Sequence, residues 1–123
     1  MFDLMHRAAL IRRLYAKDGG MKVLQKPEKI LFDNPNLMYA LSQQVEVGTM
    51  RETFLANMLS VNHKLCMPNK GDLLVDGKYL FEAGGRNKDY HQIAKEENSF
   101  VVRDSIDVGA FNKIPLWIFG LLY

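Results

Sequence analysis

At 123 residues and 14.1 kDa the chain is of single-domain size, enough for one core to bury roughly two-thirds of the surface that the unfolded form exposes. Its 48% apolar and 24% charged residues exclude disorder, collagen and coiled coil as descriptions of the whole. Sixteen Lys and Arg against fourteen Asp and Glu leave a net charge of +2, which by itself names neither a nucleic-acid nor a membrane partner.

The lone Cys66 rules out an intramolecular disulfide and points to a reducing, cytoplasmic compartment. A membrane span needs about 20 consecutive apolar residues. The stretch 2–15 is broken by Asp3, His6, Arg7, Arg12 and Arg13, and the apolar run Ile114–Tyr123 stops at ten residues.

In chain order, Leu4, Ala8, Ile11 and Tyr15 recur at helical spacing and predict one amphipathic helix over Phe2–Tyr15, stopped by Gly19-Gly20. Residues 22–24 and 29–32 are β-prone pieces divided by Pro27. Asp33-Asn34-Pro35 supplies a capping side chain followed by a first-turn proline, so a helix is expected to about Ser42 with Leu37, Met38 and Leu41 buried. Thr49-x-x-Glu52 has capping-box spacing and predicts a further helix start, with Phe54, Leu55, Met58 and Leu59 as its buried stripe.

Three short strand-like segments follow, 63–67, 72–75 and 78–83, the last two joined by Asp76-Gly77, a strong hairpin signal. A polar helix over 89–97, a strand over 99–103 and its continuation over 106–108 complete the expected pattern. The expectation is an α+β fold: helix, three-strand antiparallel meander, helix, strand, after an N-terminal helical lead-in at 1–48. One domain is expected over 1–123, with the core and the apolar C-terminal segment at 49–123.

Several chemistries lack their residues. Gly84-Gly85-Arg86-Asn87-Lys88 has neither the spacing nor the hydroxyl of an ATP-binding phosphate loop. His6, His63 and His91 show no zinc-ligand spacing, and Cys66 sits in an apolar run as a packed small side chain. The Asp76-Gly77 turn, in contrast, folds Asp72 and Glu82 toward each other across two strands, and a pair of carboxylates suits magnesium. Glu52 offers a third acid. Strand alternation puts Tyr79 and Phe81 on the face opposite Glu82, toward the core.

The blocks KPEKILFDNPNLMYAL, RETFLANML, GDLLVDGKYLFEAGGRNK and KIPLWIFGLLY resemble the C-terminal domain of unknown function that follows the ATPase core in a large family of prokaryotic AAA-type ATPases. The resemblance implies a restriction-endonuclease-like fold, signed by an Asp on one strand, Glu-x-Lys on the next, and an acid on the preceding helix. By that resemblance Asp72 is the signature Asp, Glu82 the signature Glu and Glu52 the helix acid. The residue two beyond Glu82 is Gly84 instead of lysine, a departure that leaves Arg86 or Lys88 to reach back from the following segment, with Lys88 taken as the substitute in the nuclease alternative.

The ATPase domain is absent, so the chain looks like a truncated homologue or a piece of a larger protein. The expected function is that of an accessory module, non-catalytic and acting through contacts with an ATPase domain or nucleic acid. The alternative is a magnesium-dependent nuclease with a degenerate Asp/Glu-x-Lys site, in which Glu52, Asp72, Glu82 and Lys88 are catalytic and Asp72 and Glu82 hold the metal. Lys78, Arg86, Lys88 and Arg103, with His91 and Lys95, form a loose basic set for nucleic acid, diluted by Asp89, Glu96, Glu97 and Asp104. Ile114–Tyr123 is the expected protein interface, toward an ATPase domain or a second copy.

Overall fold

The computed structural model describes residues 2–17, 27–88, 93 and 95–122. The N-terminal stretch is not one helix: α1 spans Phe2–Arg7, and β1 spans Ile11–Leu14. Ala9 takes a left-handed φ of 57°, which ends the helix, and β1 then pairs antiparallel with β2, Lys29–Phe32. Of the residues that read as a helical stripe Ile11 is buried and Leu4 and Ala8 are exposed; Ile11 and Leu14, the two ends of the strand, face the interior instead. The expected strand at 22–24 lies outside the described residues.

Helix α2, Pro35–Leu41, begins as expected, with Asn34 Oδ1 accepting the Leu37 N–H and proline in the first turn. Only Met38 is buried; Leu41, expected inside, is exposed. Helix α3 runs over Val47–Leu59, and its cap is Glu46, whose carboxylate accepts from the N–H groups of Gly48 and Thr49 and from the Thr49 hydroxyl. The Thr49–Glu52 capping box therefore does not form, and the expected boundary between 48 and 49 falls inside this helix. Glu46 wins the cap because its carboxylate meets both backbone donors from one turn further upstream.

The main sheet has five strands in the order β3 (Leu65–Cys66), β4 (Leu73–Val75), β5 (Tyr79–Gly84), β6 (Ser99–Arg103) and β7 (Lys113–Pro115). The first three form an antiparallel meander, while β6 lies parallel to β5 and β7 parallel to β6. At the β4–β5 turn Asp76 and Gly77 both have positive φ, 55° and 67°, and Lys78 N–H closes it on the Val75 carbonyl at 3.0 Å. Asp76 adds to the turn by accepting the Lys64 N–H and by pairing with His63 Nδ1 at 2.7 Å.

Residues 106–108 do not extend β6. The chain turns at Asp104-Ser105, Ser105 taking a φ of 62°, and the third parallel strand comes from 113–115. A 3-10 helix over Leu116–Leu121 follows. Of the helix expected over 89–97, residues 89–92 and 94 lie outside the described residues.

Strand alternation divides the sheet's side chains between two faces. Leu73, Val75, Phe81 and Val102 meet Leu55, Ala56 and Leu59 of α3, with Leu14, Leu31, Leu116 and Phe119 closing the cluster. Phe81 stacks on Phe100 at 5.4 Å between centroids and meets Phe119 edge-on at 6.0 Å. Each fully buried apolar side chain of this size contributes about 1.5–3 kcal/mol. On the opposite face Leu80, Ile93 and Val101 form a smaller cluster, and Glu82 shares its alternation. The molecule is a mixed α+β fold with helices and a multistrand sheet.

Candidate functional site

Glu82 lies in the central strand β5, paired with Val101 of β6, and is 1% exposed. A carboxylate buried to this degree needs a cation and hydrogen bonds to stay charged. Lys88 Nζ supplies the cation at 3.0 Å from Oε1, and it comes from beyond the end of the strand. The other oxygen, Oε2, is buried with no hydrogen-bond partner among the described residues.

Asp72 is fastened beside it. Its N–H donates to the Phe81 carbonyl at 2.9 Å and its Oδ2 accepts the Ala83 N–H at 2.8 Å, so its anchors flank Glu82 in sequence. Glu52 on α3 pairs with Lys29 of β2. Burial pushes the Glu52 carboxyl up despite that lysine, and the nearby charge of Asp72 pushes it the same way. The hydrogen bond to Glu82 holds the Lys88 ammonium above the ordinary lysine range, and the charges of Glu82, Asp72 and Glu52 all favour its protonated form. Glu52, Asp72, Glu82 and Lys88, named from the sequence, therefore act on one another electrostatically.

The absence of a side chain at Gly84 is what allows this. Residues 82 and 84 share one face of β5, and a Cβ on Gly84 would meet Lys88 Cγ at 2.4 Å, Cβ at 2.5 Å and Cδ at 2.6 Å. The alkyl chain of Lys88 thus crosses the strand where a side chain at position 84 would stand.

The basic set is not one surface. Lys78 stands at the hairpin turn with Nζ 5.1 Å from the Tyr79 ring centroid, at the far end of β5 from Gly84, a separation of about 20 Å at 3.3 Å per residue. Arg103 is half-buried and tied to the backbone: its Nε donates to the Lys88 carbonyl at 2.8 Å. Arg86 is exposed beyond the end of β5. Arg51, which the sequence reading missed, binds Asp104 through Nε at 3.0 Å, and its guanidinium nitrogens lie 3.5 Å from where a Gly85 Cβ would be. Nothing in its spacing marked it, because Asp104 is far away in sequence. His91 lies outside the described residues and Lys95 is exposed.

Magnesium is commonly held by one or two carboxylates, keeping waters and substrate oxygens as its other ligands. Among the described residues no group of three or more His, Cys, Asp and Glu is arranged to hold a metal ion. The pair Asp72 and Glu82 is the candidate for the smaller requirement, and among the described residues Glu82 Oε2 is a buried acceptor without a partner. No described helix is long and apolar enough to cross a membrane. No protein-family model, curated protein or solved structure matches the chain.

Proposed function

We propose that the chain is a nucleic-acid-cleaving module of restriction-endonuclease type that works beside an AAA-type ATPase in the cytoplasm. The observation that carries this reading is the buried Glu82 held by Lys88, with Asp72 anchored to residues 81 and 83. The order of helix α3, an antiparallel meander and a parallel fourth strand supports the same scaffold.

Asp72 and Glu82 would hold magnesium. When bound it would polarise a phosphoryl oxygen and neutralise charge developing on it. Lys88 would add a fixed positive charge at the same place, the electrostatic role that typically contributes two to three powers of ten in rate. Glu52, whose carboxyl retains its proton to a higher pH than an exposed one, is suited to proton transfer at the edge of the site.

The test is a magnesium and manganese titration by calorimetry on the chain and on Asp72→Asn and Glu82→Gln, followed by DNA and RNA cleavage in the same buffers. Metal binding lost in both variants together with cleavage supports the nuclease reading. Absence of both in the parent chain removes it.

A second reading is favoured by a different observation: Trp117, Ile118, Leu121 and Leu122 are exposed on and just after the last helix. On this reading the module is non-catalytic and acts by contact with an ATPase domain or a second copy of itself.

A further inference from the structure

We propose that Gly84 and Arg103 are positioning residues that seat Lys88 on Glu82, so that the lysine can be moved to position 84 without loss of the site. The seat has two parts. Gly84 has ordinary strand backbone, since Gly71 and Gly77 are the described glycines with positive φ. Its lack of a side chain therefore serves space: three carbons of Lys88 lie within 2.6 Å of where a Cβ would be.

Arg103 is the second part. Paired with Gly84 across the β5–β6 ladder, it donates Nε to the Lys88 carbonyl and fixes the backbone from which the lysine reaches back. The carbonyl of Gly84 accepts the Asp104 N–H at 2.8 Å, and the N–H of Lys88 donates to the Gly85 carbonyl at 3.0 Å. The loop is thereby closed onto the end of the sheet. A lysine placed at 84 would point to the face that carries Glu82, because residues two apart on a strand share a face. Positions 84 and 88 are two routes for one ammonium to one carboxylate.

The role of this lysine in cleavage rests on the function proposed above, whereas the seat itself does not, so the experiment reads both. Folded wild-type, Gly84→Ala and Arg103→Ala chains are exposed to a limiting acetylating reagent, and modification of each lysine is followed by mass spectrometry. Lys88 acetylation is expected to rise at least several-fold in both variants, with Lys64 and Lys113 unchanged. Equal Lys88 rates in all three chains overturn the seat.

Urea unfolding is then compared for Lys88→Gly, Gly84→Lys and Gly84→Lys/Lys88→Gly, glycine being needed at 88 because the Lys88 Cβ itself lies 2.5 Å from where a Cβ at 84 would be. Lys88→Gly lowers the midpoint. Adding Gly84→Lys restores most of the loss, while Gly84→Lys alone loses stability because two chains compete for one space. A double variant no more stable than Lys88→Gly overturns the exchange. If the stability pattern holds but no chain cleaves DNA or RNA in magnesium, the seat stands and the nuclease reading falls; cleavage that returns in the double variant supports both.

Discussion

Taking a carboxylate out of water costs several kcal/mol, and among the described residues only one of the two Glu82 oxygens has a partner. The imbalance makes the pair asymmetric. Lys88 retains about a third of its side-chain exposure, so losing its partner leaves it hydrated, whereas Glu82 without Lys88 is a buried, unpaired acid. Lys88→Met is therefore expected to cost about 2–4 kcal/mol, and Glu82→Gln clearly less, because the amide removes the charge along with the need for a cation. Urea unfolding of both variants at neutral pH checks the order; a Glu82→Gln loss equal to or larger than that of Lys88→Met would show that the pair itself, and not the stranded acid, carries the energy. The acids were legible in the sequence because strand alternation and a recognisable turn bring Asp72 and Glu82 together. The choice of Lys88 over Arg86 was not, because it depends on the space over Gly84 that the Lys88 side chain fills only once the loop after β5 is folded.

Helix α3 decides what Glu52 is free to do. Had the helix begun at a Thr49–Glu52 capping box, the Glu52 carboxylate would be tied to backbone donors at the helix start. With Glu46 as the cap, Glu52 lies in the helix interior and reaches Lys29. The bonds from Thr49 and Gly48 hold the Glu46 carboxyl below its ordinary value, the Thr49 hydroxyl contributing most. A depressed folded-state pKa stabilises above the unfolded value, near 4.5, and that contribution is lost as pH falls through the folded pKa. Thermal melts of the parent chain and Glu46→Gln should therefore differ most at neutral pH and converge under acid conditions; a gap independent of pH would contradict the cap. The misplaced start has a general cause, since Thr-x-x-Glu and a glutamate one turn earlier are competing signals that only the following packing separates. The same holds for β1. Apolar residues at Leu4, Ala8, Ile11 and Tyr15 satisfy a helical template, but Ile11–Leu14 gains a partner at Lys29–Phe32, and such pairing is invisible to a local window. Where the signal was local, as at Asn34-Pro35, Asp76-Gly77 and 99–103, the element forms where expected.

At the scale of the whole molecule two surfaces invite different partners, and each has its own signature. Around the carboxyl ends of β5 and β6 stand Arg51, Arg86, Lys88 and Arg103, and Lys78 lies at the other end of the hairpin. If nucleic acid docks at the acids, Arg86→Ala should weaken it and flatten the salt dependence by about one unit of log–log slope per lost phosphate contact, and Lys78→Ala should change neither. Filter binding from low to moderate salt distinguishes the two ends. The closing 3-10 helix is the other surface. Leu116 and Phe119 are the anchors that face the core, which leaves Trp117, Ile118 and Leu121 outward, the Trp117 indole N–H donating to the Ile106 carbonyl at 3.2 Å. Apolar side chains kept in water on so short a helix favour association, because burying each contributes about 25 cal/mol per Å² removed from solvent. Sedimentation velocity should accordingly show concentration-dependent self-association that Ile118→Lys/Leu121→Lys abolishes. The unfolding midpoint should stay unchanged, since neither residue belongs to the core. A chain that stays monomeric at high concentration would take the contact reading away from this helix and leave the acid and lysine cluster as the feature to be explained.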